Sequence, residues 1–146
     1  MKKKLNIFFL FTLISFCYVS ASSHKDWKLY LENENIKIEY TYEICDFSST
    51  ASQELVVFKF TNLKSQKIQV SYDVKIWNDS CLNCEQDREE FRKNIYLEEN
   101  EIFYTNGCKA ETKEYNIFSG FVHNESFEKY TSLTKFELKN LRTNNE

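Results

Sequence analysis

Residues 36–44 read IKIEYTYEI, with apolar or aromatic side chains at every even-numbered position and polar side chains between them. Residues 68–76, IQVSYDVKI, repeat this alternation. A period of two is typical of a β-strand with one buried face, whereas an amphipathic helix would space its apolar residues three and four positions apart. We therefore predict two long strands whose even-numbered residues face the protein core.

Shorter β-like segments lie before, between and after these two strands in the sequence. They comprise residues 27–31, 55–60, 95–97, 102–104, 115–122 and 133–141. Residues 85–94 are instead charge-dense, and we interpret them as a solvated connection with room for about two helical turns. Since no helices alternate with the strands, we predict an all-β fold, an antiparallel β-sandwich of about seven strands.

The first 21 residues show the three parts of a secretory signal peptide in the required order. Residues 2–4 are lysines, residues 5–19 form a largely apolar run, and residues 19–21 place short side chains at the cleavage positions. The apolar run is shorter than the roughly 20 residues that a membrane-spanning helix needs. We predict cleavage near Ala21, a single β-sandwich domain over residues 22–146 without a transmembrane segment, and a secreted or periplasmic (cell-envelope) location.

Removal of residues 1–21 changes the charge and the cysteine count. Three lysines leave, so 16 Lys and Arg remain against 22 Asp and Glu, a net charge of −6. Cys17 also leaves; lipid attachment there is the lesser alternative, because bulky Phe16 stands where such a site needs a small residue. An even number of cysteines in an exported chain predicts disulfide bonds. The four are Cys45, Cys81, Cys84 and Cys108.

The pairing of the four cysteines is open among three arrangements. We expect Cys45 to pair with one of Cys81 and Cys84, and Cys108 to pair with the other. The reason is that a Cys81–Cys84 bridge closes a loop too short to restrict the unfolded chain strongly.

The C-x-x-C segment at Cys81–Cys84 also suggests two chemical alternatives. It follows a strand and precedes a possible helix, as a thiol-disulfide redox site of the thioredoxin type does. Thioredoxin-like sites place a cis-proline beside the dithiol, and this chain has no proline. A zinc site of four cysteines is the other alternative, although Cys45 and Cys108 stand alone in the sequence. We predict disulfides and no metal.

Composition argues against several classes of function. A net charge of −3 over the whole chain lacks the basic excess of a nucleic-acid-binding protein. Two glycines 13 residues apart exclude a glycine-rich phosphate loop. The only imidazoles, His24 and His123, stand beside no nucleophile motif. We therefore predict a protein that is not an enzyme and that carries no cofactor.

Trp77 is the one candidate for a binding surface. Its odd number places it on the outward face of the strand over residues 68–76, where an indole can stack on a sugar ring or anchor a protein. The interpretation we favour is a bulge at the strand end that returns Trp77 to the core.

Several segments resemble small exported immunoglobulin-like sandwich proteins of the Bacteroidetes. The resemblance is carried by VVFKFTN at 56–62, IYL at 95–97, NGC at 106–108 and FELKNL at 136–141. It spans about residues 36–141, implies the fold and the exported location, and transfers no active site. We therefore predict an exported, non-catalytic interaction module that binds a protein, with a carbohydrate-binding domain that uses Trp77 as the alternative.

Overall fold

The computed structural model describes residues 25–46, 48–49, 51–86, 88–123, 129–131 and 133–145. The predicted signal peptide, residues 1–21, lies outside the described residues. The strands are β1 (Lys28–Glu32), β2 (Ile36–Asp46), β3 (Ala51–Asn62), β4 (Ile68–Asn78), β5 (Ser80–Cys81), β6 (Arg92–Leu97), β7 (Ile102–Tyr104), β8 (Ile117–His123), β9 (Lys129–Thr131) and β10 (Lys135–Asn145). Two short 3-10 helices, Glu89–Phe91 and Ala110–Tyr115, complete the regular structure of the described part.

The strands form two antiparallel sheets. Sheet A has the order β1-β2-β3-β8-β9, with β7 also paired to β3, and sheet B has the order β10-β4-β5, with β6 also paired to β4. The predicted all-β antiparallel sandwich is thus confirmed, with ten strands in the described residues instead of about seven. Strands as short as β5 and β9 have too few residues to show a period of two. The charge-dense residues 85–94 contain one 3-10 turn and the start of β6.

The core lies between the two sheets, where even-numbered residues of the long strands meet. The largest fully buried apolar side chains are Ile36, Ile38, Val56, Phe58, Phe60, Ile68, Val70, Tyr72 and Leu97. The Phe60 and Tyr72 rings stack across the sheets, with their centroids 5.7 Å apart. No helix in the described part of the chain is long and apolar enough to cross a membrane.

The even-numbered rule fails in the second half of β2. Tyr42 and Ile44 are exposed, whereas Thr41 and Cys45 are buried. β3 explains the change, because its residues 55–58 are apolar on both faces and are all buried. A second, smaller core therefore forms on the outer face of sheet A, made by Cys45, Leu55 and Val57 with Trp27 and Tyr104 packed against it.

The side of the sandwich where β10 meets β1 is held by side chains. The Leu138 backbone N–H donates a hydrogen bond to the Tyr30 hydroxyl at 2.8 Å, and the Asn35 amide donates one to the Thr143 hydroxyl at 3.0 Å. Tyr30 also stacks on Phe136. These contacts position β10 against the core and leave its other polar side chains on the outside of sheet B.

Candidate binding face on sheet B

The outer face of sheet B is a continuous polar surface supplied by three strands. The strand registers align its members across β4, β6 and β10, and none of them is buried. They are Gln69, Ser71, Asp73, Lys75, Trp77, Arg92, Asn94, Tyr96, Lys135, Glu137, Lys139, Arg142 and Asn144.

This face is basic although the whole chain is acidic. It carries five basic side chains against two acidic ones, on a chain whose net charge is −3. Lys135 and Lys139 both pair with Glu137, and the Lys75 ammonium donates to the backbone oxygens of Asn83 and Gln86 at 2.8 and 3.1 Å. The excess of basic over acidic side chains on this face produces a local positive potential that attracts anionic ligands.

A bulge in β10 makes a groove near the centre of the face. The register with β4 shifts between Lys139 and Arg142, and Asn140 there adopts a φ of 53°. The Asn140 amide donates to the Asp73 carboxylate at 2.7 Å, and the Arg92 Nε lies 3.6 Å from the other Asp73 oxygen. β-bulges commonly re-aim side chains beside functional sites.

Two adjoining cavities follow this groove along β4. One, of about 340 Å³, is lined by Ser71, Tyr72, Asp73, Arg92, Asn140 and Arg142. The other, of about 370 Å³, shares Asp73, Arg92 and Asn140 and extends past Lys75 to the C-x-x-C loop. Their linings offer guanidinium, amide and carboxylate groups to a ligand.

Trp77 lies on this outer face, so the expected return to the core is wrong. β4 continues without a bulge through Trp77, which pairs with Lys135 of β10 and Cys81 of β5. The bulge of this sheet is in β10 instead. The Trp77 ring is half-buried, and the Lys135 ammonium lies 4.5 Å from its centroid.

The C-x-x-C loop is closed by a disulfide between Cys81 and Cys84, with Cα atoms 5.6 Å apart. Asn83 is buried and completes the edge of β4 between β5 and β6. Its amide donates to the Val74 carbonyl at 2.8 Å, and its side-chain oxygen accepts from the Ile76 N–H at 2.9 Å. The side chain therefore replaces a strand residue at the stretch of this edge of β4 that neither β5 nor β6 covers.

The second disulfide joins Cys45 to Cys108, with Cα atoms 5.3 Å apart, so the expected pairing is wrong. The Asn106-Gly107 turn after β7 carries Cys108 onto the outer face of sheet A. Gly107 fits closely there, since a Cβ would lie 3.0 Å from Val57 Cγ1. Cys81 instead lies in sheet B, which keeps it with its sequence neighbour Cys84.

The predicted zinc and redox alternatives gain no support from this arrangement. The four cysteines are divided between the two sheets as disulfides. Among the described residues, no group of three or more His, Cys, Asp or Glu side chains could hold a metal ion.

Glu43 anchors the turn that carries Cys108. Its carboxylate accepts hydrogen bonds from Lys25 at 3.0 Å, the Tyr104 hydroxyl at 2.9 Å and the Gly107 N–H at 3.1 Å. Burial by itself raises the pKa of the Glu43 carboxyl, but these donors and the Lys25 charge outweigh it and leave the pKa below its ordinary value. The carboxylate is thus ionised at neutral pH and ties three segments together.

Sequence patterns point to Trp77 and the cysteines but not to the groove. Odd-numbered polar residues in residues 68–76 were a signal for Asp73 and Lys75, because they alternate with the core residues. No comparable signal marked Asn140 and Arg142, since their even numbers place them on the core face with Leu138 and only the bulge in β10 turns them outward.

The fold and this surface define a class, an all-β sandwich with a basic, polar sheet face. Comparison of the chain with protein-family models, curated proteins and solved structures found no match. The geometry and charge of the face are therefore the grounds for assigning a function.

Proposed function

We propose that this chain is an exported, non-catalytic binding module that holds an acidic partner against the outer face of sheet B. The observation that carries the proposal is the basic excess on this face of an acidic chain. Complementary charge accelerates encounter and disfavours partners of the wrong sign. Since the chain as a whole is acidic, its charges outside this face are net negative and repel the same partner. This repulsion orients the partner toward sheet B.

The shape of this face is suited to an extended partner. Side chains from three strands converge on the groove, and the sheet beneath them is rigid because its other face packs in the core. Sites on such regular elements hold their side chains more firmly than sites on loops.

Export is supported by the signal-peptide pattern of residues 1–21 and by the two disulfides. Disulfides persist in oxidising compartments and are rare in the cytosol. The module accordingly acts in the cell envelope or outside the cell. A protein was the first partner predicted from the sequence, and a carbohydrate is the second candidate, favoured by the position of Trp77 on the same face.

The test is a charge reversal on the face with a matched reversal elsewhere. Lys139→Glu/Arg142→Glu reverses two exposed charges beside the groove, and Lys109→Glu/Lys113→Glu reverses two exposed lysines outside sheet B. Binding of two polyanions, polyglutamate and polygalacturonate, is measured by fluorescence anisotropy. We expect the face variant to weaken binding of at least one polyanion about tenfold, with the control close to wild type.

Two results would contradict the proposal. Equal weakening in both variants would show that net charge alone controls binding, and no binding of either polyanion, nor of dextran sulfate, by the wild type would show that the face does not select acidic partners. Circular dichroism spectra of both variants establish that each retains the β fold.

A further inference from the structure

We infer that the partner of this face is an anionic polysaccharide, with a charged sugar unit bound in the groove beside Arg142 and Arg92. The inference rests on the proposed function and narrows its acidic partner to one chemical class. The groove, the hydrogen-bonding groups in it and the aromatic ring beyond it each contribute to the assignment.

The two arginines supply the anion-binding groups. Arg142 is exposed and has no ion-pair partner in the described part of the chain, and Arg92 approaches from the opposite strand. A guanidinium binds a carboxylate or sulfate through paired N–H donors in a fixed geometry. A single anionic group between the two strands can therefore be bound from β10 and β6 together.

Asp73 decides between a sugar and an acidic peptide. Its carboxylate accepts a hydrogen bond from Asn140 and forms an ion pair with Arg92, with acceptor capacity left on its oxygens. Asp73 repels an anionic group placed directly against it, whether a peptide or a sugar carries that group, and a glutamate or aspartate side chain has no donor to offer Asp73 instead. A charged sugar carries hydroxyl donors beside its anionic group, so it can satisfy Asp73 and the arginines together.

Trp77 extends the site along β4. It lies four residues from Asp73 on the same face, about 13 Å along the strand. The cavity past Lys75 bridges part of this distance. Aromatic rings present a flat apolar surface to a partner, and Lys135, which pairs with Glu137, places a positive charge beside the indole. A chain of linked charged sugars can thus contact the groove and Trp77 at once.

The experiment compares four probes on the full mature chain by titration. Polygalacturonate carries carboxylates, dextran sulfate carries sulfates, dextran is neutral, and polyglutamate is an acidic polypeptide. The variants are Arg92→Gln/Arg142→Gln, the matched control Lys109→Gln/Lys113→Gln, and Trp77→Phe. Quenching of tryptophan fluorescence reports contact with Trp77, and thermal unfolding shows that each variant is folded.

The expected result is binding of a charged polysaccharide at least about tenfold tighter than polyglutamate or dextran. We expect Arg92→Gln/Arg142→Gln to lose about tenfold in affinity, the control to keep wild-type affinity, and Trp77→Phe to lose the quenching. Preference for polygalacturonate over dextran sulfate, or the reverse, identifies the anionic group.

Three results would overturn the inference. Equal or tighter binding of polyglutamate would make the face a site for acidic protein segments and leave the proposed function standing. Binding of dextran as tight as that of the charged polysaccharides would remove the role of the arginines. Failure of both charged polysaccharides and of polyglutamate to bind would overturn the inference and the proposed function together.

Discussion

Asn83 shows how one side chain completes a sheet. It bonds to the Val74 carbonyl and the Ile76 N–H on the edge of β4 between β5 and β6, where no strand pairs with that edge. Asn83→Ala would leave both backbone groups without these bonds, and each such loss costs about 1–3 kcal/mol. We predict a loss of about 3 kcal/mol in the free energy of unfolding, measured by urea denaturation. Asn144→Ala, at an exposed position, is the control, and an equal small effect of both would contradict the prediction.

Glu43 makes stability depend on pH at the acidic end. Its folded-state pKa is below the ordinary value of 4.5, so its contribution to stability is fully present above about pH 4.5 and is lost as the pH falls through the folded pKa. Glu43→Gln removes the charge. We predict that the difference in unfolding free energy between wild type and Glu43→Gln is largest near pH 7 and shrinks toward pH 2. A constant difference across that range would contradict this assignment.

At the scale of elements, the two disulfides contribute differently to the stability of the fold. Cys45–Cys108 joins β2 to the turn after β7 across 63 residues of sequence, whereas Cys81–Cys84 spans only 3. Loop entropy predicts about 4 kcal/mol for the first and about 1.5 kcal/mol for the second. We expect Cys45→Ser/Cys108→Ser to unfold at clearly lower denaturant concentration than Cys81→Ser/Cys84→Ser. The reverse order would show that the C-x-x-C bridge, through Asn83, controls sheet B.

At the scale of the whole molecule, the division of charge between faces matters most. The basic sheet face attracts anionic ligands along the length of the sheet, and dissolved salt screens this electrostatic attraction. The Debye length falls from about 8 Å at 0.15 M to about 3 Å at 1 M salt. The polyanion binding tested with the charge-reversal variants should therefore weaken as salt rises, and the difference between Lys139→Glu/Arg142→Glu and its control should narrow.

The two long strands were predictable because a period of two is local. Side chains two positions apart share a face in any strand, so the alternation in residues 68–76 identified both the core row and the outward row of that strand. The expected bulge that would return Trp77 to the core is absent, and Trp77 continues the outward row. The same rule failed at Tyr42 and Ile44, since the face that becomes buried depends on what covers it. In this half of β2 the opposite face is buried, because Cys45 lies beside Leu55 and Val57 of β3 in a cluster that Trp27 and Tyr104 pack against.

The sequence by itself determined the all-β class, the long strands and the set of cysteines in the described domain. Only the tertiary structure decided which cysteines pair, where the bulge of β10 lies and which charged residues share the groove. These features join residues far apart in the chain, such as Cys45 with Cys108 and Asp73 with Asn140. Local alternation reports the two faces of one strand, whereas a binding surface depends on the register between strands and on the path that brings them together.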